Sequence, residues 1–307
     1  MNSTSIRTKL NAKPLERGFT LVEIAIVVII MGALFVFLMP LSSCILENQK
    51  REITRQKLKN IESAMANYVA INKRLPCPAD GTIAPGNANA GVEGARTGGD
   101  CTNNQISGVV PWVTLGLTQA DIQDGWYHLI TYRAAFSLTR DNVLDMSFCD
   151  TAGTKGVDTS SSTAPGGKCW ASCLGSDMTT CTSPQNYLVG KGFDIRNGSG
   201  VNLIMSGSGS SFTGAAYILI SHGGNGYGAY DASGSYIAVG TGITGDIEAF
   251  NINGPAVSVT NTLPLTANTF RDTEFAEGTA ALYFDDHIVR PSVFALIQRA
   301  QLGPRSH

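Results

Sequence analysis

Residues 18–30 read GFTLVEIAIVVII, an apolar run whose only charged side chain is Glu23. From Ile24 to Leu46 there are 23 residues without a charge, and about 20 apolar residues suffice for a helix to cross a bilayer. The first 18 residues carry four basic side chains and one acidic one, a net charge of +3. Such a basic segment stays in the cytoplasm. The sequence therefore predicts a single span with its amino end inside.

An ordinary secretory signal is the alternative reading of this amino terminus. Its apolar core has about 7 to 15 residues and is followed by a cleavage site of A-x-A type. Here the run is longer and leads into Pro40 and a charged segment, and the small residue Gly18 precedes the run. The sequence therefore favours a span that is retained.

Residues 17–41, RGFTLVEIAIVVIIMGALFVFLMPL, resemble the prepilin signal of type IV pilins and type II secretion pseudopilins. The resemblance implies that a prepilin peptidase cuts between Gly18 and Phe19 and methylates the new amino terminus. It also implies that Glu23 serves filament assembly and that Pro40 bends the helix. The expected role of Glu23 is to meet the cationic amino terminus of a neighbouring subunit. An unpaired carboxylate in an apolar setting is costly, so such pairing would favour docking.

The same resemblance predicts the fold class and the domain organisation. We expect an α+β, pilin-like fold in which a long N-terminal helix, with a membrane half and an amphipathic half, packs on a mainly antiparallel sheet. We expect long disulfide-tied loops in the head. The predicted parts are a removed leader (1–18), a transmembrane or filament-core helix (19–46), an amphipathic helix of the head (47–75) and a β-rich head (76–307).

The segment after the apolar run supports a continuing helix. Leu58, Ile61, Met65 and Tyr68 recur at helical spacing and predict one buried stripe. We expect one helix from about 19 to 72, ended by Pro76 and Pro78, since proline is incompatible with continued helix. Near the carboxyl end, Ser292 is a candidate cap for a short helix. The candidate strands are 109–115, 126–138, 201–205, 215–221, 235–239 and 281–289.

Composition is typical of an exported protein. Charged residues make up 15% of the 307 residues, and the chain has 34 glycines and seven cysteines. Cys44 lies in the apolar run, and six cysteines follow it, an even number that suits a disulfide-forming compartment. Six cysteines allow 15 pairings, among which we favour Cys77 with Cys101. The candidates for disulfides are Cys77, Cys101, Cys149, Cys169, Cys173 and Cys181.

Several patterns that resemble ligand sites are weak. The GGNGYG run at 223–228 lacks the full dinucleotide-binding register and a following helix, so a strand-turn-strand explains it better. Ser221 and His222 are a candidate nucleophile and base, but neighbours on a strand face opposite ways. A metal site formed by cysteines lacks the tight paired spacing of structural zinc.

Cofactors are not expected, with calcium as the exception to test. The pseudopilin resemblance leaves calcium open, and the acidic residues in the corresponding glycine-rich third are Asp231, Asp246 and Glu248. No EF-hand spacing is present. Asp285, Asp286 and His287 are a second cation candidate, for which a solvated strand end is the simpler reading. We therefore predict no metal ligands.

The charge and the size of the head limit the candidate functions. From Lys73 onward there are 13 basic and 19 acidic residues, a net charge of −6, so no nucleic-acid partner is predicted. We expect a structural and minor subunit of a type IV pilus-like filament or type II secretion pseudopilus. Its expected partners are prepilin peptidase, other pilin or pseudopilin subunits and the inner-membrane assembly platform. The alternatives are an adhesive or DNA-binding minor pilin and, less favoured, a membrane-anchored periplasmic enzyme.

Overall fold

A computed structural model describes residues 20–97, 99–102, 107–141, 143–144, 191–205, 213–238, 247–252, 269–276 and 283–302. Side chains of residues 36–44, 100, 107 and 269 are outside this description. The chain divides into two compact units, Met1–Asn48 and Gln49–His307. The α-helices among the described residues are α1 (Leu21–Asn72) and α2 (Val293–Arg299).

Among the described residues of the second unit there are nine short strands. They are β1 (Arg96–Thr97), β2 (Asp100–Cys101), β3 (Ser107–Val109), β4 (Thr131–Ala134), β5 (Asp194–Arg196), β6 (Asn202–Ile204), β7 (Tyr217–Ser221), β8 (Thr269–Arg271) and β9 (His287–Val289). Single 3-10 turns occupy Gln119–Ile122, Phe136–Leu138 and Ile247–Phe250.

The strands form three separate sheets. The largest has the order β3-β4-β7-β9 with every pair antiparallel. The second has the order β6-β5-β8, in which β5 and β8 are parallel, and β1 and β2 form a two-stranded ribbon. All five residues of β7 are buried, as expected for a strand covered on both faces.

The predicted fold class is wrong. No helix in the part of the chain that the structure describes is long and apolar enough to cross a membrane. The described strands, which have only two to five residues each, fall into three sheets and do not build the single, mainly antiparallel sheet of the expected pilin-like head. Strands of this length form only a few backbone hydrogen bonds with their neighbours. The described chain is a mixed α+β protein with separate sheets.

The core of the second unit forms where α1 meets the sheets. Leu58, Ile61, Met65 and Tyr68 are buried in one apolar cluster with residues of β4 and β7, so the predicted stripe is confirmed. The spacing of three to four residues puts these side chains on one face of the helix. The remaining surface of this segment carries its charged side chains.

The end of α1 is set by a backbone conformation as well as by proline. α1 ends at Asn72, and Lys73 has a left-handed φ of 57° while its N–H donates to the Val69 carbonyl at 2.8 Å. A left-handed residue just after the last helical turn is a common helix ending. The chain then turns back over the sheet, where Tyr132 Oη donates to the Pro76 carbonyl at 3.0 Å.

The predicted bond between Cys77 and Cys101 is confirmed. It joins the segment after α1 to β2 across a sequence separation of 24 residues. Cys149, Cys169, Cys173 and Cys181 lie outside the described residues. Pro40 lies within α1.

Candidate functional site

The amino-terminal candidate site centres on Glu23 in the first turn of α1. Gly18 and Phe19 lie outside the described residues. Glu23 Oε2 accepts hydrogen bonds from Thr20 N at 2.9 Å and from Thr20 Oγ1 at 3.0 Å. In return Glu23 N donates to Thr20 Oγ1 at 3.3 Å. This reciprocal pair is a capping box, so Glu23 also fixes the start of the helix.

The capping role could have been found in the sequence. Thr20 and Glu23 have the T-x-x-E spacing of a capping box, followed by an apolar run. The carboxylate also suits a helix start electrostatically, since the N-terminal end of a helix carries partial positive charge. Glu23 therefore has a local structural function that does not require a neighbouring subunit.

The described apolar side chains of the first unit are exposed. From Leu21 to Phe35 every residue is exposed, and Leu21, Ile29 and Phe35 retain 85%, 70% and 60% of their accessible surface. A helix that is apolar on all sides is normally buried in a membrane or a protein core. Within the first unit the described residues supply no such cover.

The end of β7 carries Ser221 and His222, the candidate nucleophile and base. Ser221 Oγ donates to Asp124 Oδ2 at 2.7 Å, while His222 Nε2 lies 3.1 Å from Thr131 Oγ1. His222 Nδ1 lies 3.6 Å from Asp286 Oδ1. Ser221 and His222 are each only 1% exposed. The two side chains thus bond to different partners and do not form a nucleophile-base pair.

The glycine-rich turn after β7 holds a carboxylate of the protein itself. Asp285 Oδ2 accepts hydrogen bonds from Gly224 N at 2.8 Å and from Asn225 N at 3.3 Å. Gly223 has a φ of +58°, and a Cβ there would lie 2.4 Å from Asp285 Cγ. Successive backbone N–H groups in such a turn form a concave anion site. The turn binds Asp285, which accounts for the glycines without a nucleotide.

Asp285 belongs to a cluster of three buried acids with Glu248 and Asp286. One oxygen of each carboxyl lies within 4.8 Å of the others. Glu248 is contributed by the 3-10 turn Ile247–Phe250, and the two aspartates come immediately before β9. Burial and the neighbouring Asp285 and Asp286 carboxyls raise the pKa of Glu248 to about 8. Carboxylate oxygens at this separation can hold a metal ion.

Neutral donors orient the cluster. Asp285 N donates to Glu248 Oε1 at 2.8 Å, and Asn225 Nδ2 donates to Glu248 Oε2 at 2.9 Å. Asn251 Nδ2 donates to Asp286 Oδ2 at 2.7 Å. These amide donors fix the position of the carboxyl groups and add no positive charge to the cluster.

The acidic residues considered as calcium ligands do not lie together in the structure. Glu248 joins Asp285 and Asp286, whereas Asp231 caps its own turn, accepting from Ser233 N and Ser235 N. Asp246 lies outside the described residues. The His287 ring stacks on Trp126 with centroids 6.2 Å apart.

A second buried carboxylate organises the tryptophan loop. Asp124 Oδ1 accepts hydrogen bonds from Trp126 N and His128 N, both at 2.9 Å. Burial raises the pKa of Asp124, although the Ser221 hydrogen bond and His128 oppose that shift. The alternating pattern of 126–138 predicts a strand and does not include Asp124. The Asp-Gly pair at 124–125 is a turn signal in the sequence, and this signal could have singled out Asp124.

Comparison with known proteins gives no further assignment. No protein-family model, no curated protein and no solved structure matches the chain.

Proposed function

We propose that the protein is a structural subunit, and a minor one, of a type IV pilus-like filament or a type II secretion pseudopilus. The observation that carries the proposal is Glu23, a single acid at the start of an exposed apolar helix and five residues after Gly18. This arrangement offers a negative charge to a cationic partner inside an apolar interface.

The exposed apolar surface of α1 favours burial of this helix against lipid or against other subunits. Fifteen consecutive exposed residues, 21–35, include leucine, isoleucine, valine and phenylalanine. Burial of apolar surface contributes roughly 25 cal/mol per Å². Helices of neighbouring subunits, or lipid before assembly, would supply this burial.

Glu23 supports a specific register within such an interface. In the proposal its carboxylate pairs with the methylated amino terminus of Phe19 in the adjoining subunit. Opposite charges attract more strongly where water is excluded, and an unpaired charge there is penalised. Pairing would therefore select one axial offset between neighbouring helices. The capping bonds from Thr20 already hold the carboxylate at the helix start.

The proposed location follows from the charge pattern of the sequence. Before assembly the chain is held in the inner membrane by residues 19–46, with its amino terminus in the cytoplasm and its head in the periplasm. The net charge of +3 before Phe19 supports this orientation. The Cys77–Cys101 disulfide supports an oxidising compartment for the head. The partners proposed are prepilin peptidase, an assembly platform and other pilin or pseudopilin subunits.

Mass spectrometry of the amino terminus tests the proposal. The full chain is expressed in cells with prepilin peptidase and in matched cells without it, then purified from membranes. In the first cells we expect loss of residues 1–18 and one added methyl group on Phe19. In the second we expect the intact leader. A chain that keeps its first 18 residues in both backgrounds contradicts the proposal.

A further inference from the structure

Aromatic and basic side chains meet beside the part of α1 that begins the second unit. Lys50 Nζ lies 6.0 Å from the centre of the Trp126 ring, and the Arg51 guanidinium carbon lies 3.6 Å from the centre of the Phe275 ring. Tyr127, the neighbour of Trp126 in the chain, is 74% exposed, and Phe275 is 41% exposed. These five residues are named the aromatic-basic patch below.

His287 connects the two halves of the aromatic-basic patch. Its ring stacks on Trp126 with centroids 6.2 Å apart. Burial, together with the positive charges of Arg55 and Arg51, lowers the pKa of His287. The two guanidinium groups therefore lie close enough to act on the ring that contacts Trp126, and the patch forms one surface.

The loop that presents the two neighbouring aromatic rings is fixed to α1. Gly125 N donates to Thr54 Oγ1 at 2.9 Å, and a Cβ on Gly125 would lie 2.4 Å from the Lys50 carbonyl oxygen. Tyr127 has a left-handed φ of 69°, a conformation that is uncommon and strained for a residue other than glycine. The fold therefore tolerates backbone strain where it holds an exposed tyrosine beside the helix.

The same part of α1 carries an excess of positive charge. From Glu47 to Lys59 there are five basic and two acidic residues, a net charge of +3, whereas the chain from Lys73 onward has a net charge of −6. Glu52 pairs with Arg55 at 3.8 Å, but both side chains are more than half exposed, and pairs of this kind are screened by water and salt. A partner for this surface is therefore expected to be anionic.

The place of the aromatic-basic patch along the chain favours lipid as that partner. In α1, Lys50 follows Leu46, the last residue of the uncharged run, by four residues, which is about 6 Å of helix rise. Tryptophan and tyrosine are enriched where a bilayer meets water. Lysine and arginine near a membrane are attracted to anionic lipids. An acidic protein surface would match the charge alone, whereas a lipid surface matches the charge, the aromatic rings and the short distance from the apolar run.

We infer that the aromatic-basic patch docks on the anionic phospholipid headgroups of the membrane that holds the chain before assembly. The inference rests on the membrane stage of the proposed function and adds a lipid contact made by the head. Its consequence is that the head must leave the lipid surface when the subunit enters a filament.

Quenching of tryptophan fluorescence by a labelled lipid tests the inference on the full chain. The protein is reconstituted in vesicles of phosphatidylcholine and in vesicles with about 30% phosphatidylglycerol, an anionic lipid. A nitroxide on the headgroup of a tracer lipid quenches nearby tryptophan, and subtraction of the Trp126→Phe signal separates Trp126 from Trp112 and Trp170. We expect quenching of Trp126 to be about twofold or more stronger in the anionic vesicles and to weaken at high salt, which screens surface charge.

Paired variants assign the basic residues. Lys50→Gln with Arg51→Gln removes the two cations that contact the aromatic rings, and we expect the dependence of quenching on lipid charge to disappear. The matched control, Lys57→Gln with Lys59→Gln, removes the same charge from the same helix about two turns further on, and it should be quenched as the wild type is. Thermal unfolding verifies that both variants are folded. Equal loss in the two variants overturns the assignment to the patch.

Quenching that does not depend on lipid charge in the wild type also overturns the inference. If the Lys50 and Arg51 variant then fails to enter filaments, the partner of the patch is a neighbouring subunit. Alkaline extraction of the same vesicles separates this failure from failure of the proposed function. A chain that resists extraction without charge-dependent quenching lacks the lipid contact alone, whereas a chain that is extracted contradicts the membrane stage and the inference with it.

Discussion

At the scale of single residues, Glu23 combines two functions that substitution can separate. Its carboxylate completes a capping box with Thr20, and its charge is the group proposed to pair with a neighbouring amino terminus. Glutamine can complete the same box without the charge. Alanine at position 20 removes the cap and keeps the charge.

We therefore expect Glu23→Gln to reduce incorporation into sheared filaments about tenfold or more, while Thr20→Ala retains most of it. The measurement is the ratio of sheared to membrane-bound protein on immunoblots, with Phe19 processing verified in both variants. Equal loss in both variants would assign Glu23 to helix capping alone.

Gly223 is a second residue with a specific requirement. Its φ is +58° and an added Cβ would meet the Asp285 side chain at 2.4 Å. We expect Gly223→Ala to reduce the free energy of unfolding by about 1–3 kcal/mol or more, from backbone strain plus the clash. Gly86→Ala is the control, since Gly86 has a φ of +88° but nothing within 4 Å. Urea unfolding of both variants separates the clash from the strain, and equal losses would exclude a clash.

At the scale of elements, the second half of α1 acts through its buried stripe. Met65 is fully buried against the sheet, while Asn67, two positions along, is exposed. We expect Met65→Ala to lower the free energy of unfolding by about 2–5 kcal/mol, because truncation removes apolar contact and leaves a cavity. Asn67→Ala should change it by less than about 0.5 kcal/mol. Similar values for the two variants in denaturant unfolding would mean that this helix face does not carry the core.

The short carboxyl-terminal helix α2 begins where its sequence predicts. Ser292 Oγ accepts a hydrogen bond from Ala295 N, and Val293, Leu296 and Ile297 are buried. The predicted cap is thus confirmed. Strand ends are less well marked in the sequence than helix ends. Of the predicted strand at 126–138 only Thr131–Ala134 form a strand, and a 3-10 turn follows. Ala135 N still donates to the Ala216 carbonyl at 3.2 Å, but the 3-10 turn at Phe136–Leu138 ends the extended backbone while the alternation of the sequence continues.

At the scale of the whole molecule, Glu93 joins the end of α1 to the segment held by the disulfide. Its carboxylate accepts hydrogen bonds from Arg74 Nη1 and Nη2, both at 2.9 Å, and from Cys77 N at 3.1 Å. Burial raises the pKa of Glu93, but the bonds from Arg74 and Cys77 outweigh it, so the pKa lies below its ordinary value of 4.5. The lowered pKa means that ionised Glu93 stabilises the fold.

That contribution is present above the unfolded pKa and is lost as the pH falls through the lowered folded pKa. We expect the wild type to lose stability as the pH decreases below about 4.5, and Glu93→Gln to be less stable at pH 7 with a flatter acid limb. Chemical unfolding between pH 3 and pH 7 measures both curves. Parallel acid limbs would assign the pH dependence to other carboxylates.

The Cys77–Cys101 bond constrains the same region from the covalent side. It closes a loop across 24 residues, for which restriction of the unfolded chain is worth about 3 kcal/mol. We expect the double variant Cys77→Ser with Cys101→Ser to lose a free energy of unfolding of that order in denaturant titration. An unchanged unfolding midpoint would mean that the Arg74–Glu93 contacts suffice.

The sequence by itself determined features that depend on neighbours along the chain. The spacing of Leu58, Ile61 and Met65 identified the buried face of α1, and Ser292 identified the start of α2, because helix geometry brings residues three or four apart together. The prepilin-like motif at 17–41 likewise needs no tertiary contact to be read.

Only the tertiary structure decided how distant segments meet. Glu248 and Asp285 are 37 residues apart in sequence, and no periodicity links them to each other or to the glycine-rich turn at 223–228. The division into separate sheets could not be predicted from the sequence either. An alternating pattern indicates which side chains of a strand face the core, but not which strand pairs with it. Pairing is set by long-range packing and hydrogen bonding, which single-chain patterns do not encode.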